Sequence, residues 1–138
     1  MKALDTSALL ALLEGDPRVR GLLRRWRGEE IATSEANLLE LACLAHAGPA
    51  RGRSDRLAAL GRLRRRLTVL PIDARAMELA ASHLEKGTPP LSPCALGMLA
   101  ALRASGCEEL VSDDPGLPAA KWGFKLSKIP STQPKKRQ

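Results

Sequence analysis

Aromatic residues are almost missing from this 138-residue chain, which has two Trp, one Phe and no Tyr. Apolar residues still make up 44% of the chain. Leu, Ala and Val must therefore fill the interior, which favours helices packed on a flat sheet. With so few aromatic platforms for stacking bases, any nucleic acid is expected to be recognised through its backbone or shape and not through its bases.

Cysteine is also scarce, and its pattern excludes two kinds of stabilising site. Cys43, Cys94 and Cys107 are odd in number and form no CxxC pair, which argues against a disulfide framework and against a structural zinc site. The two histidines, His46 and His83, fall in separate helical segments and are interpreted as ordinary surface or edge residues. A reducing, cytoplasmic environment is the simplest expectation for such a chain.

Long hydrophobic runs are missing as well. No apolar stretch approaches the roughly 18 residues that span a bilayer. Residues 1–17 contain no small-residue cleavage site, and Asp5 interrupts their apolar stretch, so this segment is expected to belong to the fold and not to a signal peptide. We therefore expect neither a membrane protein nor a secreted one.

Negative charge is in deficit, with 15 Asp and Glu against 22 Lys and Arg, a net charge of +7 and a pI near 9.9. This surplus favours a polyanionic partner, nucleic acid above all. The alternative is that the arginines only solvate helix faces, where cations near a helix C-terminus are favoured by the macrodipole. The predicted RNA contacts lie in two helices and a basic tail, at Arg24, Arg25, Arg64, Arg65, Arg66, Lys135, Lys136 and Arg137.

Short apolar segments alternate with helical patterns along the chain. Such alternation predicts an α/β fold with a central parallel sheet of four to five short strands and helices on both faces. Thr6 or Ser7 is expected to cap the first helix, and Ser34 the third. We expect one domain over residues 1–130 and a flexible basic tail over 131–138. The predicted strands are 1–4, 29–33, 67–72, 109–112 and 124–129, and the helices begin near residues 8, 17, 35, 56, 74 and 93.

Carboxylates follow two of the predicted strands. Asp5 ends the first strand, and Asp113 and Asp114 end the fourth. Glu40 lies two turns into the helix after the second strand, among apolar neighbours that predict an inward orientation. Because functional groups gather at the carboxyl ends of parallel strands, we expect these carboxylates to converge. Oxygen ligands of this kind select Mg²⁺ or Mn²⁺, as a metal-dependent nuclease requires.

Each carboxylate also has a purely structural interpretation. Asp5 precedes Thr-Ser and could be a helix N-cap, and Glu40 could simply reach solvent along its helix. The run Asp113-Asp114-Pro115-Gly116 has the composition of a turn. The order of these residues along the chain, more than any one of them, favours a site.

Four segments in that order resemble the motifs of the PIN domain family, which includes the toxin ribonucleases of VapBC toxin–antitoxin pairs. LDTSALLALLEGD resembles the opening strand and first catalytic Asp, and IATSEANLLEL resembles the second motif. TVLPIDARAMELAASHL resembles the third strand with its helix, and GCEELVSDDPGL resembles the last motif. The resemblance covers roughly residues 1–128 and implies a three-layer α/β/α fold.

The resemblance also assigns roles to individual residues. It implies that Asp5, Glu40 and Asp114 are catalytic and bind Mg²⁺ or Mn²⁺. Ser112 takes the place of the last motif's Thr, Asn37 takes the place of the second motif's Thr, and Ser7 is a further supporting residue. The family's third acidic position falls on Cys94 or Ala95, where no carboxylate is available. Asp113 is the nearest substitute ligand, and binding of a second metal ion is expected to be weakened most.

Two functions therefore follow from the sequence. The first is a PIN-domain endoribonuclease, toxin-like, that hydrolyses RNA phosphodiesters with Mg²⁺ or Mn²⁺. The second is a catalytically degenerate PIN module that binds structured RNA or a ribonucleoprotein such as the ribosome without cleaving it, as the missing carboxylate suggests. The resemblance further implies an antitoxin partner that covers the acidic pocket, and a homodimer.

Overall fold

A five-stranded, all-parallel sheet forms the centre of the chain in a computed structural model that describes residues 1–87, 91–114 and 116–129. The strands are β1 (Lys2–Leu4), β2 (Ile31–Ser34), β3 (Thr68–Leu70), β4 (Glu109–Ser112) and β5 (Lys125–Lys128). Their order across the sheet is β3-β2-β1-β4-β5. The strand β1 lies in the middle and pairs with β2 on one side and with β4 on the other. Successive strands are therefore added outward on one side of β1 and then on the other, so the strand order reverses at β1. In a parallel sheet this is the point where a crevice opens at the carboxyl edge.

Six α-helices and a short 3₁₀ helix connect the strands in the described part of the chain. They are α1 (Thr6–Leu13), α2 (Pro17–Arg25), α3 (Glu35–Ala47), α4 (Arg53–Arg66), α5 (Ala74–Glu85), α6 (Pro93–Ala104) and the 3₁₀ helix Ala119–Trp122. None of the helices in these ranges is long and apolar enough to cross a membrane.

Alternating side chains of the central strands build two hydrophobic cores. Ala3 and Leu110 face α5 and α6, whereas Leu4 and Val111 face α1, α2 and α4. This period of two buries both faces of the sheet. The result is a three-layer α/β/α fold, which confirms the predicted fold class.

The predicted elements differ from the observed ones mainly at their ends. The first helix is capped by Asp5, whose side chain accepts a hydrogen bond from the Ala8 N–H, and not by Thr6 or Ser7. Helix α4 begins at Arg53, three residues earlier than predicted, after Gly52 in the left-handed region. Strand β3 is shorter than predicted and ends before Pro71, which has no N–H to donate to a ladder.

Two further differences concern the C-terminal part. The sequence analysis did not predict the 3₁₀ helix Ala119–Trp122, which lies between β4 and β5. The predicted basic tail, with Lys135, Lys136 and Arg137, lies outside the described residues. The cap predicted for α3 is confirmed, because the Ser34 side chain accepts from the Asn37 N–H.

Candidate functional site

A cleft of about 300 Å³ lies at the carboxyl edge of the sheet, beside the ends of β1 and β4 and the start of α6. Both ends belong to neighbouring strands, so the crevice sits where the topology predicts it. The side chains around it come from α1, α3, α6 and the loop after β4. They are Asp5, Thr6, Ser7, Leu10, Asn37, Glu40, Leu44, Ser92, Cys94, Ala95, Met98, Asp114 and Leu117.

Asp5 is the most buried carboxylate of this cleft, with 5% of its surface exposed. Its Oδ1 accepts hydrogen bonds from the Ala8 N–H at 2.9 Å and from the Ser7 hydroxyl at 2.6 Å. Its Oδ2 accepts a hydrogen bond from the Ser112 hydroxyl. Asp5 is therefore both the N-cap of α1 and a buried acid at the cleft, so its role as a cap does not exclude a role in the site.

Ser112 and Ser7 also hold the segment that carries the second acid. The Ser112 Oγ accepts from the Asp114 N–H at 2.9 Å, and the Ser7 Oγ accepts from the Asp113 N–H at 3.0 Å. Asp114 in turn accepts from the Gly116 N–H at 2.8 Å, which is the turn geometry expected from the sequence. Both Asp113 and Asp114 are exposed, and of the two only Asp114 lines the cleft.

Burial raises the pKa of the Asp5 carboxyl above its ordinary value, and the negative charge of Asp114 raises it further. The hydrogen bonds from Ser112, Ser7 and the Ala8 N–H oppose this shift, because they favour the charged form. A divalent cation would offset both causes of the shift. The chemistry of the donor set, hard carboxylate oxygens with like charges close together, therefore fits a hard divalent cation.

Asn37 is buried and joins three elements at the cleft. Its Oδ1 accepts from the Ser34 hydroxyl at 2.6 Å, and its Nδ2 donates to Thr6 Oγ1 at 3.1 Å and to Met98 Sδ at 3.2 Å. An amide can donate and accept at once, which a threonine hydroxyl does over a shorter reach. Asn37 therefore connects the starts of α1 and α3 to the helix α6; its supporting role in the site stays a prediction.

Glu40 is placed differently from the sequence expectation. It lines the cleft, but it is an exposed residue of α3. The prediction of an inward side chain is wrong because its basis, a row of apolar neighbours, is itself exposed: Leu39 is 68% exposed and Leu44 47%. The structure thus gathers Asp5, Asp114 and Glu40 around one cleft with very different degrees of burial.

Cys94 occupies the region where the resemblance implies a third carboxylate. Its Sγ lies 3.5 Å from the Ala36 carbonyl oxygen, and Ala95 beside it also lines the cleft. Burial, then the hydrogen bond and negative charge of Glu40, raise the pKa of the Cys94 thiol to about 12. Cys94 is therefore a neutral thiol near pH 7. Within the described ranges, no three His, Cys, Asp or Glu side chains form a group that could hold a metal ion.

Sequence reasoning did not assign Thr6 and Met98 to the site. Thr6 was considered only as a helix cap, although its hydroxyl accepts from Asn37. Met98 is 2% exposed and receives the other Asn37 amide hydrogen. Nothing in the sequence distinguishes Met98 from an ordinary apolar residue of α6.

Five of the arginines predicted to contact RNA lie in the described part of the chain; all five are exposed, and two of them share a groove. Arg24 at the end of α2 and Arg66 at the end of α4 line a groove of about 680 Å³. Arg20, Arg27 and Arg62 add three more cations there, against the single carboxylate of Glu29. Ile31 starts β2 and also lines this groove, so the groove reaches the amino edge of the sheet, away from the acidic cleft.

Comparison with solved structures finds the same fold in toxin–antitoxin complexes. A chain of VapBC2 from Rickettsia felis, bound to a DNA fragment from its promoter, superposes with a TM-score of 0.76 at 15% identity, covering 92% of this chain and 97% of that one. A chain of DNA-bound VapBC from Salmonella typhimurium gives a TM-score of 0.74 at 19% identity, with 93% and 97% covered. VapC20 from Mycobacterium tuberculosis, a sarcin–ricin loop cleaving toxin, gives 0.64 at 26% identity, with 91% and 97% covered.

Comparison with curated protein sequences gives no match. The family model of the PIN domain, in contrast, matches residues 2–122. This range contains β1 to β4, all six helices and every residue described around the acidic cleft. The chain therefore belongs to the PIN domain family.

Proposed function

We propose that the chain is a toxin ribonuclease that hydrolyses RNA phosphodiesters at the acidic cleft. The observation that carries this proposal is the pairing of a buried Asp5 with Asp114, held by the hydroxyls of Ser7 and Ser112, in a PIN domain. The similarity of the fold to solved structures supports the proposal: two of them are toxin–antitoxin complexes, and a third is a toxin that cleaves the sarcin–ricin loop. Acting on RNA, the protein would work in the cytoplasm.

Asp5 and Asp114 would hold Mg²⁺ or Mn²⁺. Glu40 and Asp113 would join them as further oxygen ligands only after their exposed side chains move toward the ion, because no three of these side chains form a metal-binding group in the described ranges. The bound ion would lower the pKa of a water molecule and offset the negative charge of the phosphodiester. Ser7 and Ser112 would keep the oxygens of Asp5 oriented through their hydroxyl hydrogens. The neutral Cys94 would add no charge, so the cleft is expected to bind one ion more tightly than a second.

RNA would be held outside the cleft by arginines that contact its phosphates. Arg24 and Arg66, together with the other cations of their groove, are the contacts that the geometry favours. Arg25, Arg64 and Arg65 are exposed on the same two helices and would add to the attraction. The expected homodimer and the contribution of the C-terminal tail stay predictions.

An antitoxin is the protein partner that we propose. The first two neighbours are complexes of a toxin with its antitoxin. In this chain the apolar side chains of Leu10, Leu44 and Leu117 lie around the acidic cleft. Such a mixed surface suits a partner segment that covers the carboxylates and buries the leucines beside them.

A second candidate function is RNA binding without cleavage. The neutral thiol of Cys94 and the methyl group of Ala95, at the place of the family's third acid, favour it. In this case the basic surface would dock on structured RNA or on a ribonucleoprotein such as the ribosome, and the cleft would be silent.

A cleavage assay with matched variants separates the two functions. The wild-type chain, Asp5→Asn and Asp73→Asn would each be incubated with a sarcin–ricin hairpin or an unrelated hairpin, with Mg²⁺, with Mn²⁺ or without either. Asp73 is the matched control because it caps α5 as Asp5 caps α1, but outside the cleft. Cleavage that needs the ion and is lost only in Asp5→Asn supports the nuclease. Tight, salt-sensitive binding without cleavage would overturn it in favour of the silent module.

A further inference from the structure

A second cleft lies on the opposite side of the sheet from the arginine groove. It has a volume of about 350 Å³ and is formed where the ends of α5 and α6 meet the 3₁₀ helix. Arg103 lines it from the last turn of α6, whereas Cys94 in the first turn lines the acidic cleft. At the helical rise the two residues are separated by about 14 Å along the axis. The two clefts are therefore distinct.

This cleft carries positive charge that nothing nearby neutralises. Lys86, Arg103 and Lys121 line it, and no Asp or Glu is among the residues around it. None of the three forms an ion pair within the described part of the chain. Like charges held around one concave surface raise the local positive potential and attract anions. Gly123 adds space at the same place, because a Cβ there would lie 3.2 Å from Arg103 Nη1.

Trp122 forms part of the wall of the cleft. It is 8% exposed, and its Nε1 is buried without a hydrogen-bond partner among the residues that the structure describes. A buried indole N–H ordinarily has an acceptor. Its ring packs against the His83 ring with centroids 4.6 Å apart, which fixes its position in the wall of the cleft. The side chains of Lys86, Arg103 and Lys121 offer donors only, so the complementary ligand is an acceptor with negative charge.

We propose that this cleft binds a phosphate group. A phosphate oxygen is charged, accepts several hydrogen bonds and suits both the fork of Arg103 and the ammonium groups of the lysines. Because only 8% of Trp122 is exposed, the ring offers no face on which a base could stack, so the ligand is recognised by its phosphate. The phosphate can belong to a nucleic-acid strand or to a small phosphorylated molecule. This site is independent of the proposed cleavage of RNA.

The indole N–H signal of Trp122 reports on this site, because the residue forms part of the wall of the cleft. The chain has two Trp residues, so a ¹⁵N correlation spectrum of the whole protein contains two indole N–H signals. Trp26→Phe assigns them by removing one; if that variant does not fold, Trp122→Phe assigns them by removing the other. The labelled protein would be titrated with inorganic phosphate against chloride at the same ionic strength. A 12-nucleotide RNA would be titrated into the Asp5→Asn background, where we expect no cleavage.

With inorganic phosphate we expect a saturable shift of the Trp122 signal and none of the Trp26 signal. With RNA the Trp26 signal is expected to shift as well, because Trp26 lines the arginine groove proposed to hold RNA, so the Trp122 signal carries the test. The double variant Arg103→Ala/Lys121→Ala should bind the ligand at least tenfold more weakly. Arg75→Ala/Lys128→Ala should not, since it removes the same charge from exposed residues that do not line the cleft. If the Trp122 signal shifts at micromolar RNA but needs millimolar phosphate, the ligand of the cleft is a nucleic-acid strand. If RNA and phosphate are equally potent per phosphate group, the ligand is a small phosphorylated molecule. No shift with either ligand, or equal weakening in both double variants, would overturn the proposal.

Discussion

Two substitutions of Asp5 separate its structural role from its chemical one. Asp5→Asn keeps an oxygen at the position of Oδ1, which can still accept from the Ala8 N–H and the Ser7 hydroxyl. The new amide faces Ser112 Oγ, a hydroxyl that can accept as well as donate. Asp5→Ala removes all three hydrogen bonds. The first variant therefore loses mainly charge, whereas the second loses the cap and leaves the Ser112 hydroxyl without this acceptor.

The expected energies differ enough to measure. Loss of an N-cap costs about 0.5–2 kcal/mol, and loss of the partner of a buried hydroxyl costs about 1–3 kcal/mol. We therefore expect Asp5→Ala to lower the unfolding free energy by about 2–4 kcal/mol. Asp5→Asn should stay within about 1 kcal/mol of wild type, because its hydrogen bonds survive.

Thermal unfolding followed by circular dichroism in metal-free buffer tests these values. A domain of this size shifts its Tm by about 3–4 °C per kcal/mol, so Asp5→Ala should melt about 6–16 °C below wild type. Adding Mn²⁺ should raise the Tm of wild type and leave both variants unchanged, since only wild type keeps the carboxylate. If Asp5→Asn is as unstable as Asp5→Ala, the charge of Asp5 is needed for folding and the separation of roles is refuted.

Two further predictions concern Cys94 and Glu109. Cys94→Asp replaces a neutral thiol, whose pKa is about 12, with a carboxylate, and it should tighten Mn²⁺ binding at least about tenfold, as measured by calorimetry. The control Cys43→Asp, on the exposed side of α3, should leave the Mn²⁺ affinity unchanged. Equal affinities of the two variants would contradict this prediction. The Ser127 hydroxyl, and then Lys2 at 3.2 Å, hold the pKa of Glu109 below its ordinary value of 4.5. The contribution of the Glu109 carboxylate to the stability of the folded chain is therefore present above pH 4.5 and is lost as the pH falls through its pKa in the folded state. Glu109→Gln should lower the free energy of unfolding by about 1 kcal/mol at pH 7 and leave it unchanged in acid. The control is Glu108→Gln, at an exposed residue. A loss of stability that does not change with pH would rule this prediction out.

Most of the fold could be predicted from local patterns. Short apolar segments alternating with helical ones are sufficient for a parallel α/β sheet, and all five strands were located. The cap of α3 was predicted because Ser34 stands directly before the start of the helix. The ends of β3 and α4 were missed by one to three residues, because they depend on Pro71 and on the left-handed Gly52 more than on hydrophobic pattern.

The acidic cleft could be predicted less completely, because its parts depend on tertiary contacts. Asp5 and Asp114 were found since each follows a strand, and parallel strands bring their carboxyl ends together. Glu40 was placed inward on the assumption that an apolar helix face is a buried one. Helix α3 breaks that rule, because Leu39 and Leu44 on it are exposed.

That exposed apolar face bears on the function of the cleft. Leucines left exposed beside unpaired carboxylates are costly for an isolated enzyme, but they suit a surface that spends part of its time covered. If an antitoxin buries Leu44 and Leu10 together with the acidic cleft, then Leu44, one of the two leucines behind the wrong prediction for Glu40, becomes part of the partner's binding surface. The departure from the amphipathic pattern in α3 is then explained by binding, since packing within the chain does not require it.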